Sequence, residues 1–129
     1  MTAFAKILAA AEARNDGPAG LRARLPNPKV NRDLEAISDD RHLSFMSLRI
    51  FSAGLKHSMV AGKWPAFEEV FHGFEPHRVR AMADEDLEAL MAEACIIRHW
   101  GKIKSVRANA ATICEIREEA GGMGPWLAQ

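Results

Sequence analysis

Apolar residues in this chain recur at helical spacing almost from end to end, and no segment of strand length alternates apolar with polar residues. Val, Ile and Thr, the residues that suit a pleated half-buried strand, are sparse. A sheet is therefore excluded as the organising element, and the chain is predicted to be all-α, a compact multi-helix domain. At 129 residues, with 48% hydrophobic residues, it is long enough to bury one core without staples, so a single domain over residues 1–129 is expected.

Phe4, Ile7, Leu8 and Ala11 share a face of a first helix, which Asp16, Gly17 and Pro18 are expected to end. The stretch "LRARLPNPKVNR" from Leu21 to Arg32, with two prolines and four basic residues, reads as an irregular surface connection. Ser38 or Asp39 caps the next helix, predicted over about Asp39 to Ala61 and stopped by Gly62. Leu48, Phe51, Leu55 and Met59 form its main stripe, widened by Leu43, Met46 and Ile50, so burial on more than one side is expected. Gly54 inside it would cost up to about 1 kcal/mol relative to Ala, which suggests a close approach of another element. Pro65 and Pro76 each suit the first position of a short helix. Asp84 opens another, with Leu87, Leu90, Met91 and Ala94 inward, and a long helix from near Gly101 carries Ile103, Val106, Ala110 and Ile113 on its buried face. Gly121 and Gly122 end it, and Pro125 with Trp126 reads as the opening of a further helix, so the domain is expected to be part of a longer one.

Seventeen Lys and Arg balance seventeen Asp and Glu, so the chain as a whole carries no field that attracts a polyanion. Charge is instead segregated locally. The ten residues from Asp84 to Glu93 hold acids and no base, whereas Arg98, His99, Lys102, Lys104 and Arg107 follow with no acid between them. This is either a solvated pair of helix faces or an anion site at a helix start, where backbone N–H groups and flanking cations suit a phosphate. Cys95 and Cys114 are too few for a disulfide framework, and His42, His72 and His77 lack metal-ligand spacing, so no metal and no cofactor are expected. The amino-terminal segment does not read as a signal peptide and no run is long and apolar enough to span a membrane, which makes the cytoplasm the expected compartment.

The stretch from Phe67 to Ala110 resembles the DNA-3-methyladenine glycosylase I family. The likeness rests on Phe74-x-Pro76, Val79, the Met82-x-x-x-Asp86 spacing, "IIRHWGKI" and Asn109-Ala110, with "AGLKH" upstream standing where the family has "AGLSW". It covers about Leu43 to Ile116. The resemblance implies an all-α enzyme of the helix-hairpin-helix superfamily that flips an alkylated purine out of duplex DNA and hydrolyses its N-glycosidic bond, in base excision repair. It puts Arg49 and His57 where the family's pocket carries a Glu and a Trp. On that reading Arg98, His99, Lys102 and Lys104, the cations at the start of the last long helix, are expected to position the phosphate backbone. The family's structural zinc has no matching ligands, because no Cys precedes Cys95, and its Gly-containing hairpin has no counterpart before Gln129.

Three functions follow from these residues: an alkylated-purine glycosylase acting on duplex DNA, a non-catalytic DNA-binding or protein-interaction relative, and a helical domain that self-associates. For single residues the structural alternatives stay open. Arg49 can be solvated at the edge of a buried helix, His57 can be a satisfied structural histidine, and Trp64, Trp100, Phe45 and Met46 read first as core.

Overall fold

A computed structural model of the chain describes residues 2–26 and 31–129, and among them every regular element is helical. Helix α1, Ala3–Arg14, starts where the Thr2 hydroxyl accepts the Ala5 N–H. It ends just before Asp16, as expected, and α2, Gly17–Arg24, follows at once with Pro18 in its first turn, so Leu21 to Arg24 are helical, not irregular as expected. The remainder of the predicted connection, residues 27–30, lies outside the described residues. The reversal between α1 and α2 uses two left-handed residues, Asp16 and Gly17 at φ 63° and 84°. Gly20 then packs directly on the Asn15 carbonyl, where any side chain would collide. The two helices pack on each other, yet Phe4 and Ile7 stay two-thirds or more exposed, so the periodic face of α1 is not a core face.

Helix α3 spans Asn31–Ala36, and α4 spans Asp39–Ser52 with Ser38 at its cap. The predicted single helix through Ala61 is two helices. Ala53 turns extended and Gly54 adopts φ 78°, after which α5 runs His57–Val70. Space around Gly54 is open, so its glycine serves the left-handed torsion and not a close approach. Gly62 and Pro65, expected to stop and start helices, both lie inside α5. Pro65 is tolerated there because it sits on the exposed side, where water reaches the Ala61 carbonyl that its ring cannot bond. The predicted stripe accordingly splits: Leu43 and Phe51 are fully buried, whereas Leu55 and Met59 belong to the exposed turn and the start of α5.

A 3₁₀ turn, His72–Phe74, keeps three successive residues at positive φ. Two of them are not glycine, a strain of about 1–2 kcal/mol each that burial of the Phe74 ring must offset. The Arg41 guanidinium holds the turn from α4, donating to the Gly73 carbonyl at 3.0 Å and forming a two-pronged pair with Glu68 of α5 at 2.8 Å. Ser44 donates to Glu68 and accepts from the Trp64 indole, so one polar chain links α4, α5 and the turn. Trp64 stacks on Phe67 and Phe74, and these rings with Phe51 and Phe71 fill the middle of the molecule. Trp64 is core, as expected.

Pro76 opens α6, Pro76–Arg80, with Glu75 capping the Arg78 N–H, and α7 spans Asp84–Leu90 with Asp86 accepting from the Ala83 N–H. Leu87 and Leu90 face the core, but Met91 and Ala94, past the end of α7, are exposed. Helix α8, Trp100–Ala120, is the central element and packs on α4, α6, α7 and α9 through Ile103, Val106, Ala110 and Ile113. Gly121 ends it left-handed, and α9, Met123–Leu127, folds back onto α3. Gly124 makes that crossing possible, since a Cβ there would collide with the Leu34 carbonyl. Asp39 at the start of α4 accepts from Arg117 and from the Met123 N–H at 2.7 Å each, tying the start of α4 to the end of α8 and the start of α9.

Candidate nucleic-acid interface

Helix α8 begins where His99, in extended conformation, accepts the Lys102 N–H through Nδ1 at 3.1 Å. That cap satisfies one of the free donors of the first turn. Lys102 completes the junction. Its ammonium donates to the carbonyls of Ala53 at 2.8 Å and Phe51 at 3.2 Å, groups left unpaired where α4 stops short of Gly54. The start of α8 and the end of α4, just before the Gly54 turn, therefore meet.

Arg49 lies in the last turn of α4 and His57 is the first residue of α5, on either side of the Gly54 turn. Both are exposed. Phe45, four residues before Arg49, shares its side of α4 and is 58% exposed, contrary to its expected core role, whereas Met46 packs against the core. Arg98 is exposed on the segment just before α8. His99 and Lys102 are engaged as described, the one in capping and the other in bracing α4.

Lys104 does not join them. Two residues on, it lies some 200° around the helix from Lys102. Its ammonium sits 5.4 Å from the centroid of the Trp100 ring. It lines instead a groove of about 570 Å³ with Arg80, Ser105, Arg107, Ala108 and Ala111. Arg107 is fixed there by the Met82 carbonyl at 3.1 Å and by Asp84 at 2.7 Å. The run of basic residues that looks continuous in sequence is thus divided between two faces of α8. Sequence reading missed Arg80 and the bracing role of Lys102; only proximity across helices reveals either.

Cys114 is buried, with its Sγ 3.7 Å from His77 Nδ1, and burial pushes its thiol above the ordinary range. Cys95 is exposed, and no group of three His, Cys, Asp or Glu side chains converges among the described residues. This donor set does not fit a tetrahedral zinc site. No helix among the described residues is long and apolar enough to cross a membrane.

Residues 34–129 match the sequence profile of a family described as methyladenine glycosylase. The chain is 39% identical over 66 residues to DNA-3-methyladenine glycosylase 1 of Escherichia coli (strain K12), a match covering 51% of this chain and 35% of that protein. The crystal structure of a 3-methyladenine DNA glycosylase I superposes with a TM-score of 0.65 at 30% identity, over 72% of this chain and 54% of that one. The Staphylococcus aureus enzyme, whose structure concerns 3-methyladenine recognition, shares the fold at a TM-score of 0.68 and 21% identity, over 93% of this chain and 62% of that one. The chain thus matches about a third of the length of the curated relative and a little over half of the solved structures.

Proposed function

We propose a role in base excision from one premise: this chain belongs to the methyladenine glycosylase family. The reading is a glycosylase-type protein that takes an alkylated purine of the 3-methyladenine kind from duplex DNA and hydrolyses its N-glycosidic bond. A base must leave the stack before its glycosidic bond can be reached, and a damaged base costs least to extrude. N3-alkylation leaves the purine cationic, so the electron pair of the breaking C–N bond neutralises it. Water adds to the sugar cation that develops and then releases a proton. The protein's task is to hold base and sugar in place, with electrostatics doing more than a strong acid would.

In this reading the extruded base lies against the end of α4 and the start of α5, with Arg49 and His57 as its neighbours. Arg98 and the start of α8, held by His99 and Lys102, receive the adjoining backbone. The observation that supports it is the Lys102 bridge, which joins the start of α8 to the end of α4, the helix that carries Arg49. The decisive experiment incubates the chain with duplex containing N3-methyladenine and measures free base. Release above the spontaneous rate is expected, and release no faster than without protein would overturn the catalytic reading.

A second reading is a DNA-binding relative without chemistry. It is favoured by Arg49 itself, because a guanidinium near a cationic purine is repulsive, and more so wherever water is excluded. Duplex binding that weakens steeply with salt, without base release, would establish it.

A further inference from the structure

We infer that the groove between α6 and α8, lined by Arg80, Lys104, Ser105 and Arg107, is a second backbone-phosphate site for nucleic acid. It is separate from the surface at the α4–α5 turn, and the inference rests on the nucleic-acid reading above. The lining decides the ligand class. Three cations and one hydroxyl surround a floor of Ala108 and Ala111, with no carboxylate and no aromatic ring among the lining residues. A base would need a stacking partner and a cationic ligand would need an acid, whereas a phosphodiester needs cations and room for close approach.

The side chains are arranged for such a ligand. Arg107 is held in place by the Met82 carbonyl and Asp84, and because Asp84 is 74% exposed the pair is weak enough to admit a competing phosphate. Arg80 and Lys104 are exposed. Arg80 contacts His77 of its own helix at 3.2 Å and Lys104 rests over Trp100, and among the described residues neither charge is paired with an acid. The Ser105 hydroxyl spends its proton on the Lys102 carbonyl and adds no charge of its own. Because Lys104 and Lys102 project from opposed faces of α8, a strand in this groove is not the one at the α4–α5 turn. The helix carries a separate contact on each side.

The test is the binding of the full chain to a short undamaged duplex, followed by anisotropy between about 50 and 200 mM salt. Arg80→Ala/Lys104→Ala is expected to make the salt dependence shallower by about two and to weaken binding more than about tenfold at the lower salt. Arg80→Lys/Lys104→Arg, which keeps both charges, is expected to bind as the parent does. It shows that a loss in the first variant is one of charge and not of folding. If the parent binds and the double Ala variant keeps its slope while Arg98→Ala reduces it, the groove is overturned and the nucleic-acid reading stands. A parent that binds no duplex overturns both. A polyglutamate peptide that displaces the duplex from the parent as well as single-stranded DNA of equal charge does would assign the groove to an acidic protein segment, and would overturn the phosphate proposal.

Discussion

The ammonium of Lys102 ends on the carbonyls of Phe51 and Ala53, which makes it a brace for α4 as much as a surface charge. Charged hydrogen bonds of this kind contribute about 1.5–3 kcal/mol in favourable surroundings, and partial exposure lowers that here. Lys102→Met is therefore expected to cost about 1–2 kcal/mol, read as a lower midpoint in urea unfolding. A salt slope for duplex binding that falls without loss of stability would show instead that the ammonium serves the ligand. Arg49 carries the opposite kind of prediction. It is exposed and braces nothing seen in the structure, so Arg49→Glu is expected to leave stability within about 0.5 kcal/mol. The same substitution replaces repulsion by attraction toward a cationic purine and is expected to tighten binding of duplex containing N3-methyladenine relative to undamaged duplex, measured by fluorescence anisotropy. Unchanged or weaker binding would remove Arg49 from the pocket. Neither role could be read from residue type, since both side chains sit in basic or helical contexts that suit solvation equally well.

At the scale of elements, the sequence reading succeeded where helix signals were local and failed where two signals competed. Pro76, Asp84 and Gly121 stand at real boundaries because each is paired with the start or end of a periodic stretch. By sequence Gly54 is an interior glycine, because Leu55 and Met59 continue the spacing of Leu48 and Phe51 across it. The structure breaks the helix there, since Ala53 is extended and Gly54 is left-handed. Gly62 and Pro65 looked like punctuation yet sit within α5, whose burial of Val60 and Phe67 outweighs their poor helical propensity. Gly54→Ala follows as a test of the turn. A side chain meets no atom there, so the expected loss of about 1–2 kcal/mol is torsional only, and thermal unfolding should show it. A stability equal to the parent's would mean that the turn relaxes to another conformation. Gly124→Ala, at the α3–α9 crossing, fails for the opposite reason: the torsion tolerates Ala but the Leu34 carbonyl does not.

For the molecule as a whole, stability rests on a core of stacked rings, and the ion pairs that Arg41 makes beside it with Glu68 and Asp40 shape its response to acid. The Arg41 guanidinium, with help from the Ser44 hydroxyl, holds the Glu68 carboxyl below its ordinary range. Asp40 is held low as well, because hydrogen bonds from Ser38 and Arg41 outweigh its burial. A carboxylate whose folded pKa is depressed contributes stability that is full above its unfolded value, near 4, and is lost as pH falls through the folded one. Unfolding free energy is therefore expected to stay level from neutral pH to about 5 and to fall steadily below 4. Glu68→Gln should cost about 1–2 kcal/mol at neutral pH and flatten that acid fall, measured by denaturant unfolding across pH. An equally steep fall in the variant would place the acid sensitivity elsewhere. The same scale decides the electrostatics of function. A chain with no net charge can still gather cations locally, as Arg80, Lys104 and Arg107 do along one side of α8.

The sequence by itself determined that this chain is helical, where its long last helix lies, and which family it resembles. Those properties live in spacing and in short unbroken motifs, which survive without knowledge of what packs on what. Tertiary structure alone decided that the apolar face of α1 stays exposed, that the Asp39–Ala61 stretch divides, and that neighbouring lysines of one basic run serve opposite faces. In an α-helix two residues separate side chains by some 200° of rotation. A run of like charges in one dimension therefore becomes two surfaces in three, and which surface each charge joins depends on the helices that happen to pack beside it.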